Sequence, residues 1–268
     1  MSNQEIQNRL KLAQRISRQA GELTLKHFQS GSLEIIRKSD GSPVTIADQE
    51  SETFLRSAIE RDFPDDAIVG EEFGTTEGRS GFCWALDPID GTKSFISGVP
   101  LFGTMVAVID QRNLQNQQAI IGAIHIPALN EGVFAATGQG AWHYRGEQPP
   151  IRACVTKTNQ LSRAVVLSSS VEGFRKRGDG SSFENLAEQV QYARTWGDVY
   201  GYLLVATGRA DAMIDPAMNI WDAAAVQPII EEAGGRFTDW QGVPTFKNKD
   251  SIGSNGLIHD AVLKALYL

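Results

Sequence analysis

Two short apolar runs each stop abruptly on a carboxylate, and this pairing restricts the fold more than any other feature of the chain. Ala67-Ile68-Val69-Gly70 runs into Glu71-Glu72, and Phe82-Cys83-Trp84-Ala85-Leu86 runs into Asp87. Uninterrupted apolar runs of this length read as strands buried on both faces. Such a strand cannot bury an unpaired charge along its length, so the acid belongs where the strand ends. Two such ends point to one acidic cluster at the edge of a sheet. Carboxylates brought together repel, so the cluster needs protons or cations to persist.

The surrounding pattern alternates helices and strands. Ile6, Leu10, Ala13, Ile16, Ala20 and Leu23 recur at three- and four-residue steps, which predicts a helix from about Gln4 to Phe28. After the polar stretch Ser39–Ser42 and Pro43-Val44-Thr45, a second helix is expected from Ala47 to about Arg61, ended by Phe63-Pro64. Thr104–Ile109 and Ala119–Ile126 read as an antiparallel pair, continued by Gly132–Ala136 and Ala141–Tyr144. Glu147-Gln148-Pro149-Pro150 divides the chain into an α+β half, about residues 1–146, and an α/β half, about 151–268. Beyond it, strands are expected at Ala164–Ser168 and Ala212–Ile214. Helices are expected at Phe183–Val190, Val199–Thr207 and Asp222–Ala233, the last capped by Gly235.

Composition narrows the function. Of 268 residues, 41% are hydrophobic and 21% charged, enough for a sizeable core. A net charge of −7 argues against nucleic-acid binding by bulk charge, but leaves open an anionic small molecule held by metal ions or helix ends. No basic-then-apolar segment opens the chain and no apolar run reaches membrane-spanning length, so a cytoplasmic protein is expected. Cys83 and Cys154 are read as buried free thiols, and the four scattered histidines form no zinc spacing.

The carboxylates at element ends are Asp48, Glu71, Asp87, Asp90 and Asp222. Asp90 is expected in a turn shaped by Pro88 and Gly91. Asp222 opens a helix, where it could equally be an N-cap. Hard divalent cations such as Mg²⁺ take oxygen ligands from a few carboxylates, waters and substrate phosphate. Gly91-Thr92-Lys93-Ser94-Phe95 reads as a first helical turn, whose unpaired N–H groups suit a phosphate. Haloacid-dehalogenase-type phosphatases carry aspartates two residues apart, one of them a covalent nucleophile. Asp87 and Asp90 are three apart across a proline, which disfavours the same-face pairing of an extended strand. Metal-activated water is the better reading.

These residues, taken together, resemble a known family. Val69-Gly70-Glu71-Glu72, Trp84-Ala85-Leu86-Asp87-Pro88-Ile89-Asp90-Gly91-Thr92 and Ile220-Trp221-Asp222-Ala223-Ala224 are similar to signatures of the inositol monophosphatase superfamily. The stretch from Asp40 to Asp48 resembles the segment before that family's second helix. The resemblance implies a five-layered αβαβα sandwich formed by one domain over residues 1–268. It also implies hydrolysis of a small phosphomonoester with two or three Mg²⁺ ions, lithium inhibition, and a homodimer. It implies Glu71, Asp87, the Ile89 carbonyl, Asp90 and Asp222 as metal ligands. Thr92, hydrogen-bonded to Asp48, would help Glu71 orient and deprotonate the attacking water, and Gly91 and Thr92 N–H groups would hold the phosphate.

Within the family, Lys93-Ser94-Phe95-Ile96, the run Gly98–Thr104 and Arg194-Thr195-Trp196-Gly197-Asp198 resemble the histidinol-phosphatase branch. Inositol monophosphate and 3′-phosphoadenosine 5′-phosphate are the alternative substrates, and a non-catalytic metal- or phosphate-binding protein the remote one. An acidic pocket suits the cationic end of histidinol phosphate; the resemblance implies Asp215 toward that end with Asp198 near it, and Arg194, Lys93 and Asp222 as further substrate-binding residues. Each has a plain structural alternative: a turn at Asp215-Pro216, a helix cap at Asp198, an ion pair at Arg194, a solvated side chain at Lys93.

Overall fold

The first helix sets the outer layer. In the computed structural model, which describes residues 3–31, 35–37 and 43–267, α1 spans Asn3–Leu25 and buries Leu10, Leu12, Ala13, Ile16 and Ala20. Arg9 is buried among them, because Asp66 accepts two hydrogen bonds from its guanidinium at 2.8 Å. Strands β1 (Ile35–Arg37) and β2 (Pro43–Thr45) form a small antiparallel pair. Asp40, Gly41 and Ser42, part of the polar stretch and of the resemblance, lie outside the described residues. Helix α2 (Ile46–Asp62) starts with a capping box, in which the Asp48 carboxylate accepts the Thr45 N–H.

Then follow β3 (Ala67–Gly70), β4 (Gly74–Thr76), β5 (Phe82–Asp90), the short α3 (Thr92–Ile96), β6 (Gly103–Asp110), β7 (Gln118–Ile126), β8 (Glu131–Ala136), β9 (Gly140–Arg145) and β10 (Ile151–Arg152). They build an eight-stranded sheet in the order β10-β9-β8-β7-β6-β5-β3-β4. Strand β5 runs on to Asp90 where a turn is expected. Pro88 has no N–H for the ladder, and the register against β6 shifts between Asp87 and Asp90. The sheet also passes the Pro149-Pro150 boundary, since β10 pairs with β9.

The second half contributes β11 (Val165–Ser168), α4 (Val171–Arg177), α5 (Gly180–Ala187), β12 (Tyr192–Arg194), α6 (Val199–Ala206), β13 (Ala212–Asp215), α7 (Ile220–Glu232), β14 (Arg236–Thr238), β15 (Ser251–Ser254) and α8 (His259–Leu266). The second sheet has the order β12-β11-β13-β15-β14. Helix α4 was not legible in advance: it has a single buried apolar residue, Phe174, and ends after seven residues at Gly178. Helix α5 begins three residues earlier than expected and ends at Ala187. At the end of α7 the left-handed residue is Gly234, not Gly235.

Three apolar clusters define the layers. One joins α1 and α2 to the first sheet, through Ile16, Leu55, Trp84 and Val106. A second fills the space between the sheets around α6 and α7, through Leu203, Val226, Ile229 and Met213. The third packs α4, α5 and α8 on the outer face of the second sheet, through Phe174, Leu186 and Val262. The order is therefore αβαβα, as expected. Cys83 is buried, but Cys154 is exposed, because it lies just past the last ladder pair of the first sheet and outside both layers' cores.

The central layer is tight where α7 crosses β7. A Cβ on Gly122 would stand 2.0 Å from the Ala225 carbonyl oxygen, so the helix backbone rests directly on the strand. Gly122→Ala must push α7 away from the sheet. It is expected to lower unfolding free energy by about 1–3 kcal/mol, as overpacking of a close-packed interior does. Urea unfolding of the purified variant measures this; an unchanged midpoint would contradict the close packing.

Candidate active site

Strand pairing brings the first two acids together. Strands β3 and β5 are parallel neighbours with Gly70 opposite Leu86, so Glu71, just past the end of β3, stands beside Asp87 in β5. The Glu71 N–H donates to the Leu86 carbonyl at 3.2 Å, which holds the two strand ends in step. Three residues on, the bulged end of β5 delivers Asp90. Asp222 arrives from the second half, in the first turn of α7. Carboxylate oxygens of Asp87, Asp90 and Asp222 all lie within 4.8 Å of one another.

Each of three carboxylates also accepts from the start of a helix. Asp48 accepts the Thr45 N–H and hydroxyl at 2.7 Å each, at the start of α2. Asp222 accepts the Asn219 N–H at 2.7 Å, as the third residue of the α7 capping box rather than as the N-cap itself. Asp90 accepts the Val199 N–H at 2.5 Å, at the start of α6. Helix N-termini carry partial positive charge, so these contacts offset part of the crowding.

The offset is incomplete. Burial, then the charges of Glu71, Asp90 and Asp222, push Asp87 well above the usual carboxylate range. Burial and the neighbouring Asp198 and Asp222 do the same to Asp90. Burial lifts Asp222 to about 7 and Asp48 to about 6, with Glu71 adding to both. The donors at this cluster are all hard oxygens, with no histidine or cysteine among them, which suits a cation of the Mg²⁺ type.

The Ile89 main chain lies within the site: its N–H donates to Asp87 Oδ1 at 3.0 Å. The Thr92 hydroxyl donates to the Ile89 carbonyl at 3.2 Å and not to Asp48. The expected Thr92–Asp48 bond is not formed; both bonds of the Asp48 capping box fall on its Oδ2. Gly91 precedes α3 with φ of 83°, a left-handed conformation that glycine adopts at no steric cost.

A cavity of about 240 Å³ opens from the cluster, lined by Asp90 and Asp222 and beyond them by Lys93, Asp198 and Asp215. Asp215, at the end of β13, accepts from the Ser169 hydroxyl at 2.7 Å, and burial lifts it to about 8. Asp198 starts α6 but makes no side-chain cap. Arg194 is not brought to this cavity. It is exposed on β12, lies 5.2 Å over the Tyr192 ring and donates to the Ala193 carbonyl, and it pairs with no acid among the described residues. A larger cavity of about 350 Å³, beside Asn116 and Gln227, shares none of these residues.

Sequence reasoning missed two groups. Ser169, Glu172 and Lys176 line the cavity from the unrecognised α4 region; Ser168-Ser169-Ser170 directly after an apolar strand was the available sign. Glu52 was also missed. It is fully buried on α2, pairs with Arg56 at 2.8 Å and accepts the N–H groups of Glu72 and Phe73 at 2.8 and 3.2 Å. It thereby clamps the two residues after Glu71. Its spacing of four from Asp48, on one helix face, was the sign.

The model of the inositol monophosphatase family matches residues 5–267. The histidinol-phosphatase of Mycobacterium tuberculosis is 36% identical over 266 residues, 99% of each chain. That of Chlorobaculum parvum is 40% identical over 233 residues, 87% of this chain and 86% of its own. Among solved structures, an IMPase of Thermotoga maritima superposes with a TM-score of 0.83 at 30% identity, over 97% of both chains.

Two outcomes follow from this geometry. Glu52→Gln is expected to weaken divalent-cation binding about tenfold or more, as loss of a group supporting a ligand does, with the fold retained. Calorimetric Mn²⁺ titration beside circular dichroism checks it, and unchanged affinity would remove Glu52 from the site. The second outcome concerns pH. Carboxylates raised from 3.8 to about 6–8 bind protons more tightly folded than unfolded, so stability falls as pH rises across that interval. In EDTA the thermal midpoint should be higher at pH 5.5 than at pH 8, and excess Mg²⁺ should remove most of the difference. A midpoint in EDTA that climbs with pH would contradict the cluster.

Proposed function

The chain belongs to the inositol monophosphatase family, and on that premise we propose that it hydrolyses L-histidinol phosphate to L-histidinol with Mg²⁺ as cofactor. The phosphatase class follows from the family. The substrate is supported by two relatives named histidinol-phosphatase and by one observation above all. The cavity that leads from the Asp87–Asp90–Asp222 cluster continues to Asp198 and Asp215, so the Asp198 carboxylate offers negative charge, and Asp215 a further polar group, to the organic part of an ester.

The proposed ligands of two or three Mg²⁺ ions are Glu71, Asp87, the Ile89 carbonyl, Asp90 and Asp222. When bound, the ions neutralise phosphate charge, lower the pKa of water and stabilise the leaving alkoxide. Glu71 and Thr92 orient the attacking water and take its proton, and Asp48 holds the start of α2 beside them. N–H groups of Gly91 and Thr92 receive phosphate oxygens, with the Lys93 ammonium at the cavity edge. Asp198, Asp215 and the outer oxygen of Asp222 face the alcohol part.

Both halves act as one catalytic unit, because Asp222 comes from the second and Asp87 and Asp90 from the first. We extend the reading to a cytoplasmic homodimer, the form the family resemblance implies; among the described residues no helix is long and apolar enough to cross a membrane. Inositol monophosphate is the second reading, supported by the likeness to the IMPase of Thermotoga maritima.

Mg²⁺-dependent phosphate release from histidinol phosphate, inositol monophosphate, fructose 1,6-bisphosphate and 3′-phosphoadenosine 5′-phosphate tests the proposal. The largest kcat/KM is expected for histidinol phosphate, and preference for another ester would overturn the substrate. Asp90→Asn should reduce turnover by about a thousandfold or more, since a ligand to the catalytic cations is lost. Near wild-type turnover in that variant would sink the metal assignment.

A further inference from the structure

Aspartate at the first position of a helix ordinarily accepts an N–H from the turn above it. Asp198 stands at that position of α6 and takes no such bond. The Val199 N–H beside it goes to Asp90, from the other half of the chain. The Asp198 carboxylate instead lines the cavity, with Oδ2 only 2.9 Å from where a Cβ on Gly91 would stand. It therefore lies over the start of α3, between the phosphate end of the site and the outer wall.

The other carboxylates of that wall are taken. Asp215 accepts from Ser169 at 2.7 Å, and Glu172 pairs with Lys176 at 3.1 Å. No hydrogen-bond donor among the described residues reaches the Asp198 carboxylate; burial lifts it to about 6, against the opposing charge of Lys93. A half-buried carboxylate with its acceptor capacity unused costs free energy that a ligand's donor would recover. With the phosphate at the Asp87–Asp90–Asp222 cluster, the alcohol part of an ester extends along this wall and meets Asp198.

We propose that Asp198 is a specificity-determining residue that selects esters with a cationic alcohol part, its carboxylate accepting hydrogen bonds from an ammonium or protonated ring. The proposal rests on the phosphatase reading above and deepens it. A charged donor is the matching chemistry because charge-assisted hydrogen bonds are about twice as strong as neutral ones. Asparagine at this position still accepts from a hydroxyl but has lost the charge, so Asp198→Asn separates the two kinds of alcohol.

The experiment compares kcat/KM of the wild type and Asp198→Asn for histidinol phosphate and for glycerol 2-phosphate, at saturating Mg²⁺. The ratio of the two values is expected to fall about 10- to 100-fold in the variant, the range for a hydrogen bond to a charged group. The fall should lie mainly in KM for histidinol phosphate, and inhibition by free histidinol should weaken in parallel. Asp198→Glu, which keeps the charge, should restore part of the ratio, and an unchanged thermal midpoint shows that the variants fold. An unchanged ratio overturns the proposal, whether both esters are lost together or neither is. A wild type that hydrolyses glycerol 2-phosphate but not histidinol phosphate overturns it while leaving the phosphatase reading intact. A wild type that hydrolyses neither ester overturns both.

Discussion

Electrostatic repulsion among Asp48, Glu71, Asp87, Asp90 and Asp222 is the constraint around which the chain is organised. Every one of these acids is placed by backbone structure that leaves it little room to retreat. Parallel pairing of β3 and β5 sets Glu71 beside Asp87, and the bulge in β5 sets Asp90 beyond them. Asp222 is held by the first turn of α7, and α7 is pressed against β7 at Gly122. Burial first, and repulsion after it, then raise Asp87, Asp90 and Asp222 above the usual carboxylate range. A preorganised set of this kind binds a divalent cation without first paying to assemble its ligands.

Helix starts make the crowding tolerable. Asp48, Asp90 and Asp222 accept from the starts of α2, α6 and α7 respectively. The same bonds that satisfy orphan N–H groups bring partial positive charge to the cluster. The Asp90–Val199 bond has a second consequence, since it spans 109 residues and ties the strand end of the first half to a helix of the second. Folding of the interface and construction of the site are thus one event. The acids are both the reason the halves must meet correctly and part of what fixes how they meet.

This explains which parts were legible in sequence. Glu71 and Asp87 could be read because apolar runs that stop on acids need only local information, and the layer order followed from the alternation of periods 3.6 and 2. Contacts decided by competition between partners could not be read. Thr92 donates to the Ile89 carbonyl three residues before it, while Asp48 takes its own capping bonds from Thr45. At the start of α6 the Val199 N–H goes to a carboxylate more than a hundred residues away, and Asp198 makes no side-chain cap. Helix α4 was invisible because one buried phenylalanine gives no periodicity. Glu52 was overlooked for a related reason: a buried acid on a helix is intelligible only once Arg56 and the Glu72 and Phe73 N–H groups are seen around it.

The two ends of the cavity answer to different physics, and this separates chemistry from selectivity. At the inner end, charge density is high and the ligands are held by main-chain geometry, so cations and phosphate are recognised by charge and hardness regardless of what alcohol is attached. At the outer end, Asp215 and Glu172 already have partners, and one aspartate does not. Changing the walls there need not disturb the cluster, because the outer residues come from β13, α4 and the start of α6, while the first-half acids come from β3 and β5. A fold arranged this way can keep one hydrolytic site and exchange the ester it acts on. Asp90 and Asp198 mark where the two ends adjoin, one committed to the Val199 N–H and the other left open to the cavity.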